Sequence, residues 1–245
     1  MLVKDKAIVV NKINLANKKC IVKIFSLNHG MIDCLCFASN SPKSKIKISS
    51  LLPLSIVNVE LVIKQNKELH QLNETHVAFV PDSIFNSLEK ISIIQIIAEI
   101  IVKTVREQHS NPHLFNFLQE NILTINAETE DNLLNYVCYF LIELTKYLGI
   151  EPQNNFNNFN NYFDCRAGEF TPYALVLPLG FDFEQSKILS VLLNQNNYTI
   201  KLNNSLKQNL IDGLLAYYAF HIPNFGQLKS LTVLRELNKT QKKSI

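Results

Sequence analysis

The sequence predicts an α+β chain in which a small five-stranded β module precedes a larger, mostly α-helical region. Up to about Val80 the apolar residues recur with period two in strand-sized runs, and from Pro81 onward they recur with a period near 3.6. Charge changes sign at the same place. Residues 1–80 hold eleven Lys and no Arg against five acids (Asp5, Asp33, Glu60, Glu68 and Glu74). The remainder holds thirteen basic and sixteen acidic residues, so the overall +3 conceals a basic module joined to an acidic one. A basic β module suits a polyanion, and an acidic helical region suits protein partners. The expected domains are therefore 1–80 and 81–245, the second interrupted by an Asn-rich loop and hairpin at about 150–180.

Ala7–Ile13, Lys19–Phe25 and Met31–Phe37 are three β-rich runs, and Asn28-His29-Gly30 between the last two supplies a glycine for the positive φ of a hairpin turn. Ile56–Lys64 is the clearest strand, with Val57, Val59, Leu61 and Ile63 on one face. Leu69–Val77 is a fifth, and Ser49–Leu52 between the third and fourth makes one helical turn. That order of elements is the order of an OB-fold barrel, a fold that binds oligonucleotides.

In the second region Ser83 starts a helix reaching Arg106, apolar except for a stripe of Ser92, Gln95, Glu99, Lys103 and Arg106, which makes it the spine of the helical part. Asn111-Pro112 pairs an N-cap with proline at the first helical position and opens a helix to about Ile125. Asp131–Leu148 follows, stopped by Gly149 in the left-handed region. Asn154–Asn161 has six Asn in eight residues and is expected to order poorly. Tyr162–Thr171 reads as a hairpin around Gly168, and helices at Asp182–Asn194, Ser205–His221 and Gln227–Leu237 complete the chain.

A hydrophobic fraction of 47% over 245 residues, with six Gly and eight Pro, describes a folded globular protein. Ile91–Val102, the most apolar stretch, is too short and too polar to span a bilayer. No secretory segment precedes the first strand, and five Cys at irregular spacing fit a reducing cytoplasm, with a nucleoid-associated place for a DNA binder. There is no G-x-S-x-G, no G-x-x-x-x-G-K-[ST] and no H-E-x-x-H, so neither catalysis nor a cofactor is expected. No C-x-x-C pair exists, Cys34 and Cys36 read as core residues, and no metal site is expected.

The lysines carry the functional signal. No acid occurs from Cys34 to Val59, and Lys43, Lys45 and Lys47 alternate within that window, which in an extended segment sets their ammonium groups about 7 Å apart on one side. Lys12, Lys18, Lys19 and Lys23 gather around the loop joining the first two strands, and Lys64 and Lys67 flank the loop joining the last two. In OB folds these loops border the oligonucleotide face. Lysine without arginine is a point charge for phosphates, with little base preference. Aromatic platforms for stacking are scarce, since residues 1–80 offer only Phe25, Phe37 and Phe79 and the core claims some of them. The expected binding is electrostatic and poorly selective between single and double strands.

The run Ser26–Gly30, Pro42-Lys43-Ser44-Lys45, Leu51-Leu52-Pro53-Leu54-Ser55 leading into Val59-Glu60-Leu61, then Tyr162-Phe163-Asp164, Gly168-Glu169-Phe170 and Phe225–Leu231 together resemble the RecO family of bacterial recombination mediators, over essentially the whole chain. The resemblance implies a DNA-binding OB domain that anneals single strands into duplex. It also implies partnership with RecR, loading of RecA onto coated single strands, and a helical domain that receives the acidic tail of the single-stranded-DNA-binding protein. Tyr136, Tyr139, Phe140, Leu144, Tyr147 and Leu148 would wall such a groove and Lys146 would meet the terminal carboxylate. Many RecO proteins hold a four-ligand zinc site in the segment equivalent to Tyr162–Phe170, where this chain has only Cys165. The alternative from a different class is a protein-docking adaptor whose lysines serve solubility and touch no nucleic acid.

Overall fold

A computed structural model of the chain describes residues 1–17, 19–41, 43–83, 87–106, 109–194 and 202–241, the side chains of residues 89, 130–135 and 237–241 excepted. Its strands are β1 (Leu2–Asn14), β2 (Lys19–Ser26), β3 (Gly30–Phe37), β4 (Ile56–Val62), β5 (Leu69–Phe79), β6 (Tyr162–Asp164) and β7 (Glu169–Thr171). Its helices are α1 (Leu88–Thr104), α2 (Pro112–Ala127), α3 (Glu130–Tyr147), α4 (Phe183–Asn194), α5 (Asn204–His221) and α6 (Lys229–Gln241).

The first five strands close into a barrel in the order β1-β2-β3-β5-β4, with a 3-10 turn at Ile48–Leu51 between β3 and β4. Closure depends on β1. Its first half, Leu2–Ile8, pairs with β4 and its second half, Ala7–Asn14, pairs with β2, the two ladders overlapping at Ala7 and Ile8, just before a bulge between Val9 and Asn11. Period-two alternation sends Val22, Ile24, Cys34, Cys36, Val57, Val59 and Leu61 into a dry core. Gly30 adopts φ 70 at the hairpin turn as its position requires. β1 begins at Leu2, five residues before the expected start at Ala7, because Lys4 and Lys6 stand opposite Glu60 and Asn58 and continue the ladder.

Asp5 interrupts the apolar pattern of β1 and is nevertheless buried. Its carboxylate accepts from Ser26 Oγ, from the Asn28 N–H (3.0 Å) and Nδ2 (2.8 Å) and from the Lys6 N–H (2.8 Å), with His29 Nδ1 at 3.1 Å, so it ties β1 to the turn between β2 and β3. Burial by itself would raise its pKa, but these hydrogen bonds outweigh burial and hold the carboxyl below its usual range.

Contacts divide the chain into two compact units, Met1–Ala127 with Leu228–Ile245, and Glu128–Gln227. The period of the sequence changes at Pro81, whereas the division by contact falls between α2 and α3. In the first unit Phe25 of β2 stacks on Phe115 of α2 with centroids 6.1 Å apart. Helix α1 starts after Ser87, whose side chain accepts from the Lys90 N–H, and not at Ser83 as the pattern of polar residues predicts. Ser83 donates its hydroxyl to the Asn126 carbonyl (2.8 Å) and its N–H to the Asn126 side chain (3.1 Å), and its oxygen accepts from Lys90 Nζ (3.1 Å), so it ties the start of this segment to α2. Asn111 caps α2 through the Leu114 N–H at 3.1 Å, as its pairing with Pro112 indicates.

Helix α6 returns to pack on α1. Glu99 of α1 accepts from the N–H groups of Lys229 (3.0 Å) and Ser230 (2.9 Å) and from Ser230 Oγ (2.7 Å), placing an anion at the N-terminus of α6. Burial alone would raise the Glu99 pKa, but the bonds from Ser230 and Lys229 and the charge of Lys103 lower it. Glu99→Gln is expected to cost about 1 kcal/mol at neutral pH. The difference is full above the ordinary Glu range and fades as pH falls through the depressed folded value, which urea midpoints at pH 7 and pH 3 will measure.

In the second unit Gly149 takes φ 68 just beyond α3. Tyr218 Oη of α5 donates to the Leu141 carbonyl of α3 at 2.7 Å. Hairpin β6-β7 is built around Phe163, whose ring lies 5.1 Å from Phe170, 5.3 Å from Phe181 and 5.6 Å from Tyr217. The Asn-rich segment is ordered, contrary to expectation. Asn155 exchanges two hydrogen bonds with the Phe170 backbone (2.7 and 3.0 Å), Asn157 Oδ1 accepts from the N–H groups of Phe159 and Asn160 (both 2.8 Å), and Phe156 meets Phe170 edge-on at 5.3 Å. Its asparagines satisfy backbone groups locally, which composition alone does not reveal.

Candidate nucleic-acid interface

Alternation on β2 and β3 puts Cys20, Val22, Ile24, Ile32, Cys34 and Cys36 inside and leaves Lys19, Ile21, Lys23, Met31, Asp33, Leu35 and Phe37 on the outer face. Register builds this face in rows across the sheet. Ile13, Ile21 and Leu35 form one half-exposed apolar row, Asn11, Lys23 and Asp33 a second, and Lys19 opposite Phe37 a third. Lys23 is paired to Asp33 at 2.7 Å, while the ammonium of Lys19 stands 5.6 Å from the centre of the Phe37 ring. Phe25 is buried, but Phe37 is 59% exposed. Lysine counting passes over Phe37; the signal for it was the strand parity that sends Cys34 and Cys36 inward and so turns Phe37 out.

Beyond β3 the chain runs back across the barrel. Ser39 donates to the Ile46 carbonyl (3.1 Å), the Thr75 N–H of β5 donates to the Lys45 carbonyl (3.1 Å), and Ser39 bridges to Lys47. Ile46 is buried in the barrel core, which turns Lys45 and Lys47 outward on either side of it. Lys43 is exposed too, but it sits on a turn closed by the Ser44 N–H on the Ser41 carbonyl (3.0 Å). The three lysines are therefore not one extended row. Lys45 also lies 3.7 Å from Glu74, a solvent-exposed pair of small energetic weight.

The remaining lysines spread further. Lys12 stands opposite the buried Val22, hence on the inward side, where its charge reaches the Cys36 thiol. Lys19 and Lys23 share the outer face, so Lys12 does not cluster with them; Lys18 lies outside the described residues. Lys64 and Lys67 are exposed in the loop before β5, the Lys64 N–H bonded to His70 Nδ1 at 3.2 Å. Lys67 lines a hollow of about 230 Å³ with His29, Met31 and His70, beside the turn joining β2 to β3. Lys19 is at the opposite end of β2, so the two groups flank the outer face from its two ends.

In the second unit Tyr136, Phe140 and Leu144 of α3 are buried in its core and do not line an open groove, while Tyr139, Tyr147 and Leu148 are partly exposed. Lys146 is held by Glu143 at 2.7 and 2.9 Å, an i, i+3 pair that engages the cation expected to meet a carboxylate. Tyr136 and Phe140 at helical spacing are buried core residues of α3, which packs on α5.

Comparison with known proteins matches residues 1–79 to the family described as Recombination protein O N terminal and residues 86–232 to Recombination protein O C terminal. The chain belongs to the RecO family. A DNA repair protein RecO of Flavobacterium psychrophilum is 32% identical over 239 residues, spanning 97% of this chain and 99% of that one. RecO proteins of Flavobacterium johnsoniae and Bacteroides fragilis are 29% and 28% identical over the same shares. The OB-type barrel and the helices that follow it are thus those of a RecO-family DNA repair protein. Among the described residues no cluster of three or more His, Cys, Asp or Glu is arranged to hold a metal, and no helix is long and apolar enough to cross a membrane. In this RecO-family hairpin Cys165 is buried, its thiol pushed up to about 12 by burial and by Asp164.

Proposed function

We propose that the chain acts without catalysis in DNA repair: it binds single- and double-stranded DNA through the barrel and anneals complementary strands. With RecR it helps load RecA onto strands coated by the single-stranded-DNA-binding protein. The observation that carries the reading is the outward display of Lys45 and Lys47 on either side of the buried Ile46, on a segment that leaves β3 beside Lys19 and Phe37. Anchoring by Ile46 fixes where two charges stand, on a segment that itself carries no acid, although Glu74 of β5 lies 3.7 Å from Lys45. Lysine neutralises phosphates without reading bases, which suits a protein that must hold two strands of any sequence and release them paired. RecR and the acidic tail of the coating protein enter as partners through family membership; the helical unit is the part proposed to receive the tail.

Fluorescence anisotropy of a labelled single strand across a salt series tests the reading. About five phosphate contacts give a slope of log K against log salt near −3.5, and Lys43→Glu/Lys45→Glu should bring it to about −2 with at least a tenfold loss of affinity at low salt. A slope near zero, or unchanged affinity in the double variant, would instead favour a protein-docking barrel.

A further inference from the structure

We propose that Phe37 is a stacking platform for one unpaired base, which gives this face of the barrel a preference for single over double strands that its lysines cannot supply. The inference rests on the barrel being the DNA-binding module and adds to it a position that reads base pairing. Phe37 closes β3 with its ring 59% exposed, while the other phenylalanine of the β2-β3 hairpin, Phe25, is fully buried against α2. An aromatic ring left in water at the end of a strand, inside a basic surface, is the residue type that single-strand binders present to bases.

Its surroundings fit a nucleotide. Lys19 stands directly opposite on β2 with Nζ over the ring, 5.6 Å from its centre, so the charge covers one side of the ring and is within reach of the phosphate of a base laid on the other. The neighbouring row of Ile13, Ile21 and Leu35 is half-exposed and apolar, a floor for the edges of bases. The nearest acid on the face, Asp33, is already paired with Lys23 at 2.7 Å and does not repel an incoming backbone. Lys47, joined to Ser39 two residues beyond Phe37, carries the positive surface onward along the strand's path.

The interior of a duplex has no base face to offer such a ring, because there every face is covered by its neighbours in the stack. Lysines meet both forms of DNA; Phe37 meets only the open one. When a complementary strand pairs with the bound one, the stacked base leaves the ring for the helix, and the annealed product loses that part of its hold on the protein.

The chain contains no tryptophan, so Phe37→Trp places a single indole at the site. Titration with an oligothymidine is expected to quench its fluorescence, a relaxed circular duplex, which has no end pairs, is expected to leave it unchanged, and adding the complementary strand should restore it. Phe37→Ala should weaken single-strand binding about five- to hundredfold while duplex affinity and the salt slope stay at wild-type values, and Phe37→Tyr should recover most of the loss. Equal losses for both forms of DNA, or no quenching together with unchanged single-strand affinity in Phe37→Ala, would overturn the stacking role. If the Lys43→Glu/Lys45→Glu variant still loses affinity in that case, the DNA-binding reading survives without it. If neither variant loses affinity, both fall.

Discussion

Asp5→Ala is expected to lower the unfolding free energy of the first unit by about 3 kcal/mol, among the largest effects of any polar substitution in the barrel. The carboxylate is the shared acceptor for Ser26 Oγ, the Asn28 backbone and side chain and the Lys6 N–H, and alanine would leave these donors without it, the Ser26 hydroxyl in a place closed to water. Because the folded carboxyl ionises at lower pH than the unfolded one, its contribution is complete above the ordinary Asp range near about 4 and is lost as pH falls through the depressed folded value. Urea unfolding of wild type and variant should therefore differ fully at pH 6 to 7 and converge toward pH 2. A gap that stays constant with pH would mean that the ionised form has no special role.

Phe163→Ala should be comparably costly to the second unit, by about 3 to 5 kcal/mol. Its ring is fully buried and touches Phe170, Phe181 and Tyr217, so truncation opens a cavity where β6, β7, the segment before α4 and α5 all meet. Thermal unfolding followed by circular dichroism should show a transition lowered by many degrees, with Phe163→Leu in between. A shift of only a degree or two would show that the hairpin is held by its hydrogen bonds and not by its rings.

The barrel was legible because each strand alternates and each turn carries its own chemistry, such as Gly30 between β2 and β3. What blurred was the start of β1, where Lys4, Asp5 and Lys6 hide a strand under three charges whose partners lie some fifty residues away on β4 and twenty or more residues away in a turn. The helices were legible from their apolar period, but that period does not mark the cap, which is Ser87 and not the expected Ser83. The lysine face was legible only in part. Spacing along the chain does not tell inward from outward across a bulge, which is why Lys12 parts from Lys19 and Lys23. Nor does it show which charges are already paired, as Lys23 is with Asp33 and Lys146 with Glu143.

The return of α6 to α1 sets an order of events during synthesis. The first unit needs residues from both ends of the chain, with the 100 residues of Glu128–Gln227 made in between. At about 5–20 residues per second a ribosome takes on the order of 5 to 20 s to cross that stretch. Through that interval the barrel, α1 and α2 wait with the α6 seat on α1 uncovered and Glu99 without the N–H groups of Lys229 and Ser230 that later cap it. The unit inserted in the chain is synthesised in full before the one it interrupts, so the nascent protein finishes at its beginning.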